Sequence, residues 1–285
     1  MDISTASNMN VLYVGERQKS IRGLPDIIVQ FRTGTKGNRR NLRKEEPTCR
    51  EGRGYMKIAG YEKVSLVDYP GKIATTIFSY GCNFACKYCH NKHLWDSSGE
   101  EVPFIEILDY LKSRENKIEA VVFSGGEPTI NKDLLKYIWA IKKEVPGLLI
   151  KVDTNGSDTQ TLKEILPFID YVAMDIKGPM ELYSDGVFQP DRVMSGYDLC
   201  QSVKTVIKYA KDYEFRITMY PEYVSPEEFY KITTILGWAK RIVLQQYNPQ
   251  PGDQTVPYND IKKLAEELKD ESKYGLHKLQ EVVVR

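Results

Sequence analysis

The chain has 285 residues, 41% of them hydrophobic, which is long enough to bury one sizeable α/β core. Its 40 basic and 39 acidic side chains leave a net charge of +1, so the overall charge gives no drive toward nucleic acid or membrane surfaces. With no long apolar run and no apolar leader segment, a cytoplasmic location is expected.

Residues 1–54 show little periodicity and hold 11 basic against 6 acidic residues. The stretch Arg32–Arg53 is polar and rich in turn formers, so residues 1–54 read as a disordered basic extension, with VLYVGE and PDIIVQF as candidate short strands. Met56 is an alternative start. The folded domain is placed at 55–285. There, strand-like runs alternate with helical patterns. Expected strands are Ile73–Phe78, Glu119–Phe123, Leu148–Val152, Tyr171–Ile176, Phe215–Tyr220 and Arg241–Gln245, with Val282–Val284 as a last strand or a frayed end. Expected helices are Phe104–Lys112, Lys132–Glu144, Thr159–Leu166, Ser195–Lys211, Pro226–Leu236 capped by Ser225, and Asn259–Lys269. Six strand–helix units imply a parallel sheet with right-handed crossovers, short of the eight that close a barrel. The expected fold is an α/β partial (β/α)6 barrel.

Three of the five cysteines crowd into eight positions, which does not suit a framework of paired disulfides. Cys82, Cys86 and Cys89 form C-x3-C-x2-C directly after the first expected strand. Thiolates are soft ligands for iron and sulfide, and three can hold three irons of a [4Fe–4S] cube while leaving the fourth open to a small molecule. Two other readings of the triplet stand. Its i, i+4, i+7 spacing also fits one face of a helix, and zinc with His90 or His93 as fourth ligand would make a structural site.

The remaining polar clusters bear on this choice. Ser124-Gly125-Gly126-Glu127-Pro128, Asp153-Thr154-Asn155-Gly156, Asp175-Ile176-Lys177-Gly178 and Gln245-Gln246-Tyr247 all fall at or just past the carboxyl ends of expected strands, and Arg216 lies within one. That rim is where parallel α/β folds bind ligands. A structural zinc knuckle needs none of these groups. Their chemistry suits a zwitterionic nucleoside. Gly125 and Gly126 allow close backbone approach, Asp153, Asn155 and Asp175 can bond an ammonium or ribose hydroxyls, and Lys177 and Arg216 can pair with a carboxylate. Taken alone, each carboxylate could equally be a cap or turn residue. Cys49 and Cys200 read as ordinary thiols, His277 as a surface residue, and the 19 tyrosines as scattered.

The C-x3-C-x2-C motif followed by Gly-Gly-Glu resembles the radical S-adenosylmethionine (SAM) superfamily. The stretch Ser65–Asn91 resembles the glycyl-radical-enzyme activating enzymes, above all the activating protein of anaerobic ribonucleoside-triphosphate reductase, and CHNKHLWD is similar to pyruvate formate-lyase activating enzyme. The resemblance implies one [4Fe–4S] cluster on Cys82, Cys86 and Cys89, with those cysteines and Lys177 as the catalytic set. It places SAM against Tyr88, Gly125, Gly126 and Glu127, with Asp153, Thr154, Asn155, Asp175, Lys177, Arg216 and Gln246 positioning it, and it leaves room for a monovalent cation at Asp153, Thr154 and Asp175. It also implies reductive cleavage of SAM to a 5′-deoxyadenosyl radical that takes a glycine Cα hydrogen from a partner enzyme, with flavodoxin or ferredoxin as electron donor. Neither a membrane nor nucleic acid is an expected partner. One departure is Ala74, where many activating enzymes carry Arg or Lys. A radical enzyme acting on a small molecule, peptide or RNA, and a non-catalytic zinc-binding module, are the alternative readings.

Overall fold

The structure, a computed structural model, describes residues 55–96, 98–188 and 194–285. The extension expected over 1–54, and Cys49 within it, lie outside the described residues.

Eight strands among the described residues form one open sheet in sequential order. They are β1 (Ile58–Ser65), β2 (Ala74–Ser79), β3 (Ala120–Gly125), β4 (Leu149–Thr154), β5 (Tyr171–Asp175), β6 (Tyr213–Met219), β7 (Arg241–Gln246) and β8 (Glu281–Val284). β1 pairs antiparallel with β2, and every later pairing is parallel. The expected six units are β2 to β7 with their helices, which gives the partial barrel. The segment Val282–Val284 is a true strand, paired along Ile242–Leu244. β1 was not expected, because only its two end residues are buried and its middle, Tyr61 to Val64, shows none of the alternation that marks a half-buried strand.

The helices are α1 (Phe104–Ser113), α2 (Leu134–Glu144), α3 (Thr159–Ile165), α4 (Met180–Ser184), α5 (Gly196–Tyr209), α6 (Tyr230–Leu236), α7 (Tyr258–Glu267) and α8 (Glu271–Tyr274). α2 buries Leu134, Ile138 and Ile141, a single stripe at helical spacing. α5 opens with a reciprocal capping box between Ser195 and Asp198, which satisfies two donors that the first turn leaves unpaired. α8 stops at Gly275, which takes the left-handed conformation open to glycine (φ +64°). α6 starts four residues later than expected. Ser225 Oγ accepts from Glu228 N at 3.3 Å, which folds 226–229 into turns ahead of the helix.

Alternation along the strands sorts side chains onto two faces. Val121, Phe123, Ile150, Val152, Val172, Met174, Phe215 and Ile217 join the main core with the helices. A smaller cluster of Tyr69, Ala74, Ala120, Val122, Tyr171 and Ala173 fills the other, concave side near the amino ends of the strands. Toward the carboxyl ends that same side turns polar, and there the candidate site lies.

Candidate functional site

After β2 the chain leaves regular structure, and the cysteine loop is held by bonds to neighbouring loops. Gly81 N donates to Leu94 O at 2.8 Å and Cys82 N to Trp95 O at 3.2 Å. On the other side, Gly126 N donates to Ser79 O at 2.9 Å and Glu127 N to Gly81 O at 2.8 Å. A Cβ on Gly126 would stand 2.0 Å from Gly81 O, and one on Gly125 (φ +106°) would meet Ser79 N at 2.5 Å. The Gly-Gly pair is therefore required by the close packing of the β3 rim on the cysteine loop, whatever ligand it also meets.

Asn83 ties the loop to the β4 rim. Its Nδ2 donates to Ser157 Oγ at 2.8 Å and its Oδ1 accepts from Asn155 Nδ2 at 2.9 Å. Glu127 is buried and its carboxylate is fully engaged. Oε1 accepts from Thr129 N, Thr129 Oγ1 and Thr154 Oγ1, and Oε2 accepts from Asn155 N. Burial raises its pKa, with the four donors opposing. Glu127 thus joins the β3 and β4 rims, a structural duty that its place in the motif did not reveal.

Register builds the next feature. Asp175 on β5 pairs with Arg216 on β6, and Asp153 stands on β4 beside them. Five charges alternate across the rim. Lys151 Nζ lies 2.9 Å from Asp153 Oδ1, Arg216 bridges Asp153 Oδ1 at 3.4 Å and Asp175 Oδ1 at 2.7 Å, and Lys177 Nζ reaches Asp175 Oδ2 at 2.9 Å. Burial alone would raise the Asp175 pKa, but Arg216 and Lys177 outweigh it and hold it at about 2. Burial likewise opposes the charge on Lys177, and Asp175 more than offsets this. Ser124 Oγ donates to Asp153 Oδ2 at 2.9 Å, extending the ladder to β3.

One cavity gathers these parts. Cys82, Cys86 and Cys89 line it together with Gly125 and Gly126, Asp153, Thr154 and Asn155, and Asp175, Lys177 and Arg216. Tyr88 and Glu127 also line it, as do Trp95, Phe84 and Asn91, which the sequence did not single out. Gln246 is not among the lining residues; its Nε2 donates to Val256 O at 3.1 Å.

Tyrosines that look scattered in sequence converge here. Tyr88 packs against Tyr220, Tyr223 and Tyr247, with ring centroids at 5.2, 5.6 and 6.4 Å, and Lys177 Nζ sits 5.7 Å from the Tyr88 centroid. The Tyr88 hydroxyl is buried and has no hydrogen-bond partner among the described residues. Tyr220 and Tyr223 follow β6 and Tyr247 follows β7, so only the sheet order brings the four together. Cys200 contacts Met180 Sδ at 3.7 Å, away from the cavity lining, and half-exposed His277 pairs with Glu271.

The donor set fits an iron–sulfur cluster. Cys82, Cys86 and Cys89 share one cavity, and soft thiolates are the ligands that iron–sulfur clusters take. His90 and His93 are exposed and absent from the lining. Burial pushes the Cys82 thiol up to about 12 and raises Cys86 as well. Asp153, Thr154 and Asp175, where the resemblance leaves room for a monovalent cation, all line the cavity. Both carboxylates are already paired with Lys151, Arg216 and Lys177, and the Thr154 hydroxyl is committed to Glu127.

Comparisons with known proteins agree with this geometry. Residues 76–232 match the pattern of the Radical SAM superfamily. A Methanocaldococcus jannaschii protein whose name places it among the glycyl-radical enzyme activating enzymes is 30% identical over 246 residues, covering 80% of this chain and 95% of that one. The pyruvate formate-lyase-activating enzyme of Clostridium pasteurianum is 36% identical over 126 residues, 42% of this chain and 52% of that one. Among solved structures, Streptococcus suis SuiB bound to S-adenosylmethionine superposes with a TM-score of 0.55 at 14% identity, over 72% of this chain and 48% of SuiB. The chain thus spans about half the length of these last two proteins, and the likeness to SuiB is one of fold. No helix among the described residues is long and apolar enough to cross a membrane.

Proposed function

Because the chain belongs to the radical SAM superfamily, and is an enzyme of that kind, we propose that it activates a glycyl radical enzyme. Cys82, Cys86 and Cys89 would hold a [4Fe–4S] cluster, which would supply the electron for reductive cleavage of SAM to methionine and a 5′-deoxyadenosyl radical, the species that would take a glycine Cα hydrogen from the partner. The chain's own residues bind, orient and exclude solvent. Lys177 and Arg216, at the cavity wall, meet the methionine carboxylate, and Asp153 and Asp175 hold those two cations in place. Gly125 and Gly126 bring backbone polar groups to the methionine amine. Tyr88 offers a ring face to the adenine, backed by Tyr220 and Tyr223. Residues 55–285 form the catalytic unit, and residues 1–54 are a basic extension to it. The similarity of Ser65–Asn91 favours a partner of the anaerobic ribonucleotide reductase type, with a flavodoxin or ferredoxin as donor.

The observation that carries the radical chemistry is the single cavity lined by all three cysteines, both glycines and the charge ladder. The assignment as an activase rests on a relative matched over 95% of its length. The test is an anaerobic incubation of the reduced protein with SAM and a candidate glycyl radical enzyme, read by electron paramagnetic resonance. A glycyl radical that requires all components supports the proposal. 5′-Deoxyadenosine formed with no radical on any such partner would reassign the enzyme to a small-molecule, peptide or RNA substrate.

A further inference from the structure

The three cysteines are not equivalent in what they accept. Cys82 Sγ accepts a backbone donor, Phe84 N, at 3.4 Å. Cys89 Sγ accepts a side-chain donor, the indole Nε1–H of Trp95, at 3.3 Å. The backbone of Trp95 is held on both sides. Trp95 N donates to Lys92 O at 3.1 Å and Trp95 O accepts from Cys82 N at 3.2 Å, so one residue clasps the backbone of the first cysteine and the sulfur of the third. Trp95 is half-buried and lines the cavity, and Lys92 Nζ lies 6.0 Å from its ring centroid.

We infer that Trp95 sets the reduction potential of the cluster through its hydrogen bond to Cys89. This rests on the cluster reading above. An indole N–H only donates, so the bond has one polarity, with the positive end of the N–H dipole at the sulfur. Reduction adds one electron to the cluster from an external one-electron donor, with no bond made or broken. The added charge is shared by the thiolate sulfurs. A donor fixed at one of them therefore stabilises the reduced state more than the oxidised one and raises the potential. Cleavage of SAM needs a strongly reducing cluster that a cellular donor can still fill, and Trp95 adjusts that balance. It acts through Cys89 and is a positioning residue.

The test uses the full chain with its cluster assembled anaerobically, titrated by electron paramagnetic resonance against redox mediators without substrate. Trp95→Phe removes the donor, and 3-benzothienylalanine at position 95 replaces the N–H with sulfur while keeping the bicyclic shape. Both should lower the ratio of reduced to oxidised cluster at a fixed poise by about tenfold, a shift of about 59 mV for a one-electron couple. If Trp95→Phe fails to assemble a cluster, the isosteric variant decides. A benzothienylalanine protein with full iron and sulfide and an unchanged potential overturns the inference and leaves the cluster reading intact. Wild-type protein that takes up no iron or sulfide overturns both.

Discussion

The cysteine loop and the charge ladder face each other across one cavity, yet they are built in opposite ways. The ladder stands on β4, β5 and β6 and the turn after β5, so strand register delivers Asp153, Asp175 and Arg216 to one face. The cysteine loop has no register to follow. Its shape comes from bonds to chain segments remote in sequence: Asn83 to Asn155 and Ser157, and Gly81 to Glu127 and Leu94. Charges that must not move are placed on the sheet, and ligands that must wrap a bulky group are placed on a loop clamped by its neighbours.

The sharpest way to separate the two regions is to remove what each contributes. Replacing Cys82, Cys86 or Cys89 with Ala should abolish cluster retention and lower SAM cleavage by at least about a thousandfold, with little loss of fold, as read by iron assay and circular dichroism together. Arg216→Met should keep the cluster but weaken SAM binding and lower stability. It strips Asp153 and Asp175 of their shared cation in a buried setting, and denaturant unfolding should show a loss of about 3–5 kcal/mol.

The ladder also has a pH signature. Asp175 has an ordinary pKa of 3.8 and is held at about 2 in the folded protein. A depressed carboxyl contributes stability that is complete above its unfolded pKa and is lost as pH falls through the folded one. Stability should thus drop by about 2 kcal/mol from pH ~4 to pH ~2, and Asp175→Asn should flatten that slope in unfolding curves measured across this window. The smallest effect belongs to the loop clamp. Asn83→Ala removes two partly exposed hydrogen bonds, so stability should fall by only about 1 kcal/mol while the cluster is lost faster to a chelator. An equal loss of stability from Asn83→Ala and Arg216→Met would erase the distinction between the two regions.

This contrast also explains what the sequence could reveal. β2 to β7 are legible because β-branched runs alternate with helical stripes, and the ladder is legible because its charges end those runs. The cysteines are legible by spacing alone. The loop's supports are not, since Asn83 and Ser157 lie 74 positions apart and neither belongs to a periodic pattern. Glu127 sits in a recognisable motif, but only packing shows that Thr129, Thr154 and Asn155 occupy its carboxylate. Gln246 shares the rim position of the other polar groups, yet its amide is drawn to Val256, a contact set by the loop after β7. The tyrosine group needs the whole sheet order before its members become neighbours.

The measurement that tests the central claim most directly is the absorption spectrum of protein purified without oxygen, with iron, sulfide and zinc assayed on the same sample and 5′-deoxyadenosine assayed after reductant and SAM are added. A brown protein with about four irons and four sulfides per chain that forms 5′-deoxyadenosine is the predicted result. A colourless protein that takes up no iron after anaerobic reconstitution, or holds about one zinc instead, would contradict it.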